Sequence, residues 1–267
     1  MTVTTGRSRI AETFARLKQR GEFALLPYVT VGHPELDTVQ RVVPALVAGG
    51  ATMVELGVPF SDPLADGATI QASSHQALLN GVTVDYCLES ARALRAGGVD
   101  VPLIFMGYYN PMLNYGLERF AARCAEAGVD GLIVPDLPPG ESHALQAACR
   151  RYGRDLIFML APTSTEALID EVARQASGFI YCVSLSGVTG ARQSLAQGVG
   201  DFLARVRART DLPLVLGFGI SRREHVVQAV ELADGVAVGS ALVSRLGETP
   251  RAEQPAVVEA YMRELRG

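Results

Sequence analysis

The sequence is almost without lysine, since Lys18 is the only lysine among 24 basic residues and all the others are arginine. Lys18 lies in the amphipathic segment IAETFARLKQ, which precedes every predicted strand. An enzyme that works through a Schiff base needs a lysine amine inside its active site. The position of the single lysine therefore argues against this class of mechanism.

The sequence also lacks the clustered ligands that are typical of transition-metal sites. Its four cysteines and four histidines are dispersed, and none forms a CxxC, HxH or HExxH pattern. We therefore predict no metal site. We expect the cysteines to be reduced and mostly buried, and a nucleophilic role for one of them is the less favoured alternative. They are Cys87, Cys124, Cys149 and Cys182.

Long apolar runs are missing as well. No segment approaches the ~20 apolar residues that span a bilayer, and the amino terminus lacks the apolar stretch of a secretory signal. We therefore expect a cytoplasmic protein. The net charge of −4, with acidic and basic residues well mixed, gives no electrostatic reason to expect binding to nucleic acid or to an anionic membrane.

What the sequence does contain is a regular alternation of strand-like and helix-like segments. Eight short apolar runs with little polar alternation are typical of parallel strands that are covered on both faces. Segments such as LERFAARCAEAGV lie between them, with apolar residues three and four positions apart and a glycine at the end. The predicted strands lie near residues 23–29, 52–57, 101–107, 131–136, 155–160, 178–184, 212–218 and 235–240.

This alternation predicts an α/β fold, a (β/α)8 TIM barrel with an extra N-terminal helix. An open doubly wound sheet is the alternative, but no GxGxxG motif follows the first predicted strand. We find no linker and no break in composition, so we expect residues 1–267 to form one domain.

The segment VELGVPFSDPLADGATIQ, residues 54–71, has the richest set of candidate catalytic groups. Active sites of barrels form at the carboxyl ends of the strands, where this segment lies. Glu55 lies within an apolar strand, where burial would raise its pKa and suit it to proton transfer. Asp62 and Asp66 follow in a loop rich in proline and glycine. The alternatives are an ion pair at Glu55, a turn cap at Asp62 and a solvated Asp66.

Three glycine-rich corners follow the last three predicted strands, at residues 184–195, 217–221 and 239–242. Small residues let backbone N–H groups approach an anion, and helix amino termini favour negative charge. This region of a barrel commonly binds phosphate, so we predict a phosphate site. The alternative is that the glycines only make tight turns.

Two further features are open to two interpretations each. Tyr181 lies inside the sixth predicted strand, where it points either into the pocket or into the core. The segment MGYYNPMLNYG, residues 106–116, has aromatic, methionine and asparagine side chains with little charge, which is typical of an interface. A local lid is the other interpretation of that segment.

Several segments, in their order and spacing, resemble the family of tryptophan synthase α subunits. They are ELGVPFSDPLADGATIQ, MGYYNPMLNYG, VPDLPPGE, APTST, SGVTGAR, GFGIS and GSALV, and the similarity covers residues 20–265. The resemblance implies a (β/α)8 barrel that cleaves indole-3-glycerol phosphate into indole and glyceraldehyde 3-phosphate. It also implies docking onto a β subunit in an α2β2 heterotetramer. Pyridoxal phosphate would belong to that partner, and no cofactor to this chain.

The resemblance also implies roles for individual residues. Glu55 matches the acid/base glutamate of the family and Asp66 its catalytic aspartate. Tyr181, Phe218 and Thr189 match residues near the substrate, with Thr189 on a mobile loop. Four residues match the phosphate site and four match the loops that face the β subunit. The first group is Gly190, Gly219, Gly239 and Ser240, and the second is Asp62, Pro63, Asn110 and Asn114.

Three positions depart from the commonest residues of the family. Ala68 stands where proline is usual, His33 follows Gly32 where aspartate is frequent, and Leu185 stands where some members have arginine. None of these differences removes a catalytic group.

The chemistry of the reaction agrees with the residues present. Cleavage of the bond at indole C3 is a retro-aldol step in which the protonated indole ring accepts the electron pair, so that no amine or metal is required. Glu55 can move the protons, and an ionised Asp66 can stabilise the positive charge. The alternatives are another phosphate-binding barrel enzyme, a lyase that acts without a β subunit, and a barrel that is only an allosteric partner.

Overall fold

The computed structural model describes residues 8–183, 192–217 and 219–267, without the side chains of residues 192–197. Eight parallel strands close into a barrel in the order β1 to β8, which confirms the predicted α/β fold. All eight predicted strands are present. They are β1 (Ala24–Thr30), β2 (Val54–Gly57), β3 (Leu103–Met106), β4 (Gly131–Ile133), β5 (Asp155–Leu160), β6 (Ile180–Val183), β7 (Leu214–Gly217) and β8 (Gly235–Val238).

Twelve α-helices lie among the described residues, mostly between consecutive strands. They are α1 (Arg9–Arg20), α2 (Thr38–Ala48), α3 (Ala68–Leu79), α4 (Val84–Ala96), α5 (Tyr109–Tyr115), α6 (Leu117–Ala127), α7 (His143–Arg151), α8 (Glu166–Gln175), α9 (Arg192–Arg207), α10 (Arg223–Val230), α11 (Ser240–Glu248) and α12 (Gln254–Arg266). A 3-10 turn at Pro139–Glu141 precedes α7.

Several strands are shorter than the apolar runs that predicted them. β4 ends at Ile133 although the run continues to residue 136. The reason is that Pro135 has no N–H to give to a neighbouring strand, and the N–H of Leu137 turns back to the carbonyl of Val134 at 3.1 Å. The chain therefore leaves the sheet at Val134 and turns before the 3-10 turn at Pro139–Glu141.

The strand register places the interior side chains at common levels. Tyr28 lies beside Glu55, and Glu55 lies beside Ile104 on the next strand. Side chains that are paired in this way point to the same face of a sheet. Because the interior residues Leu26, Met53 and Ile104 form one buried cluster, Glu55 also belongs to the interior.

Helix α1 closes the amino-terminal end of the barrel. Ile10, Phe14 and Leu17 lie on one face of the helix and are buried in the same cluster as the interior strand residues. The ring of Phe14 lies 5.8 Å from that of Phe179, which immediately precedes β6. This is the predicted extra N-terminal helix. Lys18 is exposed on it, so the only lysine lies at the end opposite to the carboxyl ends of the strands.

Other expectations concern groups outside the barrel interior. All four cysteines are free thiols and buried, as expected. Within the described ranges, no three histidine, cysteine, aspartate or glutamate side chains come together in a way that could hold a metal ion. Among the same residues, no helix has both the length and the apolar character needed to cross a bilayer.

Candidate active site

Glu55 is an isolated carboxyl group inside the barrel. It lies in β2 with no exposed surface, and neither carboxyl oxygen has a hydrogen-bond partner among the described residues. Burial disfavours the charged form and raises the pKa of this carboxyl from an ordinary value of 4.5 to about 8. The side chain is therefore mostly protonated at neutral pH and can act as a proton donor. Among the described residues, Glu55 does not form the ion pair that was considered as an alternative.

Tyr28 lies next to Glu55 and extends across the end of β2. A Cβ atom on Gly57 would come within 2.1 Å of the Tyr28 hydroxyl oxygen, so only glycine leaves room for the ring there. The hydroxyl lies 3.4 Å from Oγ1 of Thr30, which is 2.7 Å from Oγ of Ser73 in α3. These buried hydroxyls connect the interior beside Glu55 to the helix that follows the Asp66 loop.

Tyr181 occupies the corresponding position on the other side of the barrel. It lies in β6, and a Cβ atom on Gly217 at the end of β7 would be 2.3 Å from its hydroxyl oxygen. Burial, together with the nearby carboxyls of Glu55 and Asp66, raises the pKa of Tyr181 well above its ordinary value of 10. Its hydroxyl is therefore a neutral donor that shares the interior with both carboxyls.

Asp66 lies in the loop between β2 and α3, which comprises residues 58–67. It is half-buried rather than freely solvated, and burial raises its pKa above the ordinary value. The loop has a defined shape, since the N–H of Asp66 donates to the carbonyl of Pro63 at 3.0 Å. In addition, Nε2 of Gln71 donates to the carbonyl of Asp66 at 2.8 Å. These contacts tie the loop to the first turn of α3.

The structure thus brings Glu55, Asp66 and Tyr181 together. They come from a strand, a loop and a strand on the opposite side of the barrel, yet each carboxyl, when it is charged, raises the pKa of Tyr181. The same two carboxyls also act on Tyr28. One carboxyl is fully buried and the other half-buried, so the two have separate environments in one interior.

The described part of the predicted phosphate site lies at the ends of β7 and β8. Gly219 is exposed and has a φ of 77°, a conformation that favours glycine. Gly239 precedes α11, and Ser240 is the first, exposed residue of that helix. The first N–H groups of a helix have no partner within it, so they can bind an anion. Thr189, Gly190 and Phe218 lie outside the described residues.

The residues expected at a partner surface lie in the loop after β2 and in helix α5, which follows β3. Asp62, Asn110 and Asn114 are exposed, and Pro63 is partly exposed. Large apolar side chains accompany them, with 92% of Leu64 and 50% of Leu113 exposed. An exposed apolar patch with a polar rim is typical of an interaction surface.

Comparisons with known proteins agree with this geometry. A sequence model described as the tryptophan synthase alpha chain matches residues 14–266. The alpha chain of Roseiflexus sp. (strain RS-1) is 55% identical over 260 residues, which are 97% of this chain and 100% of that protein. The chain belongs to the tryptophan synthase alpha chain family. The alpha chain of Chloroflexus aurantiacus is 53% identical over 258 residues, 97% of each chain.

Solved structures of the alpha chain family also match. The alpha subunit from Legionella pneumophila str. Paris superposes with a TM-score of 0.91 at 33% identity, covering 98% of each chain. These findings confirm the family resemblance, the barrel and the lyase activity that was expected from the sequence.

Four residues of the site were missed by the sequence reasoning: Tyr28, Thr30, Ser73 and Tyr108. Tyr108 is the second residue after β3, and its hydroxyl accepts a hydrogen bond from the N–H of Ala65 at 2.9 Å. Functional polar residues of barrels gather where strands end. This rule could have indicated Thr30, which ends β1, and Tyr108, which follows β3. Nothing in the local pattern indicates Ser73, which lies in a helix.

Proposed function

We propose that this chain cleaves indole-3-glycerol phosphate to indole and glyceraldehyde 3-phosphate by a retro-aldol reaction, with Glu55 and Asp66 as its catalytic residues. The observation that supports these roles best is the carboxyl of Glu55, which is fully buried, has no partner among the described residues and shares its interior with Asp66. We further propose that residues 1–267 act as a single barrel domain.

Glu55 moves protons in both halves of the reaction. Its carboxyl is protonated below about pH 8 and donates a proton to C3 of the indole, which leaves a cationic ring. The resulting carboxylate then accepts the proton of the adjacent side-chain hydroxyl. The carbon–carbon bond breaks, its electron pair returns to the indole ring, and the former alcohol carbon becomes the aldehyde. Glu55 ends protonated, ready for the next turnover.

Asp66 stabilises the charge that forms between these two steps. When ionised, it accepts a hydrogen bond from the indole N–H, which becomes more acidic once the ring is protonated. A carboxylate that is fixed in a half-buried position stabilises such a cation more than water does, because no solvent has to reorganise. The loop contacts of Asp66 are consistent with this role, since they restrict its position.

Other residues would hold the indole ring and the phosphate of the substrate. The neutral hydroxyl of Tyr181 and the ring of Phe218 would flank the indole. The phosphate would bind the backbone at Gly190, Gly219, Gly239 and Ser240, with Thr189 closing over the substrate. The amino terminus of α11 supports this assignment, because its N–H groups and helix dipole favour an anion.

We also propose that the chain passes indole to a β subunit for tryptophan synthesis, in an α2β2 heterotetramer that acts in the cytoplasm. Asp62, Pro63, Asn110 and Asn114 would face that partner, and their exposure beside Leu64 and Leu113 supports the assignment. Pyridoxal phosphate would be held by the β subunit. No cofactor is required by the steps derived for this chain.

The decisive assay measures indole released from indole-3-glycerol phosphate, with and without an added β subunit. We expect the chain to release indole, the rate to rise with the β subunit, and the Glu55→Gln variant to lose turnover while remaining folded. Near-normal turnover of the variant would disprove the role of Glu55. If the chain releases indole at a rate that the β subunit does not change, and if the two proteins do not co-purify, the chain is a lyase that acts alone.

A further inference from the structure

Tyr108 connects a second part of the barrel to the Asp66 loop. It lies between β3 and α5, whereas Asp66 follows β2. Only 5% of its surface is exposed, although the loop that it contacts is largely exposed. A buried tyrosine generally has its hydroxyl paired, so the partners of this hydroxyl indicate what the side chain is for.

The hydroxyl of Tyr108 acts on two consecutive residues of the loop. It accepts a hydrogen bond from the N–H of Ala65 at 2.9 Å, which leaves its proton free to donate. The same hydroxyl lowers the pKa of the neighbouring Asp66 carboxyl, which favours its charged form. The hydrogen bond to Ala65 therefore fixes the backbone beside Asp66, and the hydroxyl also affects the charge of its carboxyl.

The ring of Tyr108 holds the same loop at a third point. It packs against the ring of Phe60, with 5.4 Å between the centroids and 30° between the planes. Phe60 is in turn held by Ser74 of α3, whose hydroxyl accepts from the N–H of Phe60 at 2.9 Å and donates to its carbonyl at 3.1 Å. One end of the loop is thus fixed by α3 and Tyr108 together.

Between these fixed points the loop has few contacts with the rest of the barrel. Ser61, Asp62, Leu64 and Ala65 are exposed, and the described backbone hydrogen bonds of this stretch join loop residues to each other. Among the described residues, the contact that reaches this stretch from the connection after another strand is that of Tyr108, at Ala65 and beside Asp66.

We propose that Tyr108 is a positioning residue, which aims the Asp66 carboxyl at the substrate by holding the N–H of Ala65 and the ring of Phe60. This inference rests on the proposed catalytic role of Asp66 and adds to it a residue that acts through Asp66.

The Tyr108 hydroxyl should also affect how activity depends on pH. Burial raises the pKa of Asp66, and the Tyr108 hydroxyl opposes that shift. Removal of the hydroxyl should therefore raise the pKa further, so that Asp66 needs a higher pH to ionise. The other titratable groups facing this pair come from β1, β2, β6 and the loop after β4, and they stay in place: Tyr28, Glu55, Tyr181 and Asp136.

The test compares two variants that each remove one tyrosine hydroxyl. Tyr108→Phe removes the hydroxyl that accepts from Ala65 and lowers the pKa of Asp66. Tyr115→Phe is the matched control, since the hydroxyl of Tyr115, at the end of α5, donates to Asp85 at 2.6 Å. We expect Tyr108→Phe to lower kcat by about tenfold to a hundredfold with little change in KM, because an interaction with a charged group is lost at the transition state. Tyr115→Phe should match the wild type.

Three readouts separate positioning from a general structural effect. The acidic limb of the kcat profile should move to higher pH in Tyr108→Phe and stay in place in Tyr115→Phe. Added to Asp66→Asn, the Tyr108→Phe change should cost much less turnover than it does alone, since it acts through Asp66. Carbon-13 NMR of aspartate carboxyls, with Asp66 assigned by its absence from Asp66→Asn, should show a raised pKa for Asp66 in Tyr108→Phe.

If Tyr108→Phe does not fold, 3-fluorotyrosine placed at position 108 gives the same test. It keeps the ring and the hydroxyl but makes the hydroxyl a stronger donor, so the pKa of Asp66 should fall. An unchanged Asp66 titration in both modified proteins would overturn the proposal. The NMR titration needs no substrate, so it decides the role of Tyr108 even if the wild-type chain releases no indole and the proposed function fails.

Discussion

The buried carboxyl of Glu55 should make the stability of the protein depend on pH in a way that one substitution abolishes. Burial raises the pKa of Glu55 to about 8 in the folded chain, against an ordinary value of 4.5 once the chain is unfolded. Between these two values the folded state holds a proton that the unfolded state has lost. The free energy of unfolding therefore decreases as pH rises through this window.

The magnitude follows from the width of the window. Each pH unit changes the proton-linked free energy by about 1.4 kcal/mol. A window from 4.5 to about 8 thus corresponds to roughly 5 kcal/mol, fully present below the lower value and lost above the upper one. Solvent does not screen this effect, because Glu55 has no exposed surface. A domain that is stable by about 5–15 kcal/mol would feel this loss strongly.

The assay compares urea unfolding of the wild type and of Glu55→Gln over this range of pH. All other groups titrate in both proteins, so the difference between the two curves isolates Glu55. We expect the unfolding free energy of the variant, relative to that of the wild type, to rise by roughly 3 kcal/mol as pH increases from about 5.5 to 7.5. The variant should at the same time lose indole release. Parallel curves would show that Glu55 titrates normally, and the proton shuttle would lose its physical basis.

Three further predictions concern the loop and the strand ends. Asp66→Asn should lower indole release by about a hundredfold or more while a substrate analogue still binds in calorimetry, and full activity would contradict charge stabilisation. Gly57→Ala should lower the free energy of unfolding by about 1–3 kcal/mol, because the new Cβ would lie 2.1 Å from the Tyr28 hydroxyl oxygen. Gly67→Ala is its control, since a Cβ there meets nothing within 4 Å, and equal losses in the two variants would contradict the close approach to Tyr28. Ala68→Pro should raise the free energy of unfolding by about 0.4–1 kcal/mol, measured as a higher melting temperature. The reason is that Ala68 is the first residue of α3 and Gly67 before it has an extended ψ of 164°. A lower melting temperature would mean that the N–H of Ala68 is required.

The positions of the strands could be predicted because the cause is local. A parallel strand of a barrel is covered by helices on one face and by the interior on the other, so its residues are apolar throughout. The eight apolar runs therefore indicated all eight strands, and only their ends differed. Glu55 stood out for the same reason, since a carboxylate within such a run has to be buried or paired.

The sequence by itself determined the barrel, the two carboxyls and the remote position of the only lysine, because each of these depends on the order of residues along one or two elements. The surroundings of the carboxyls were decided by tertiary structure alone. Tyr28, Tyr181 and Tyr108 come from β1, from β6 and from the segment after β3, and closure of the barrel brings them to Glu55 and Asp66. The proton affinity of Glu55 has the same origin, since it depends on which distant side chains exclude water from the carboxyl.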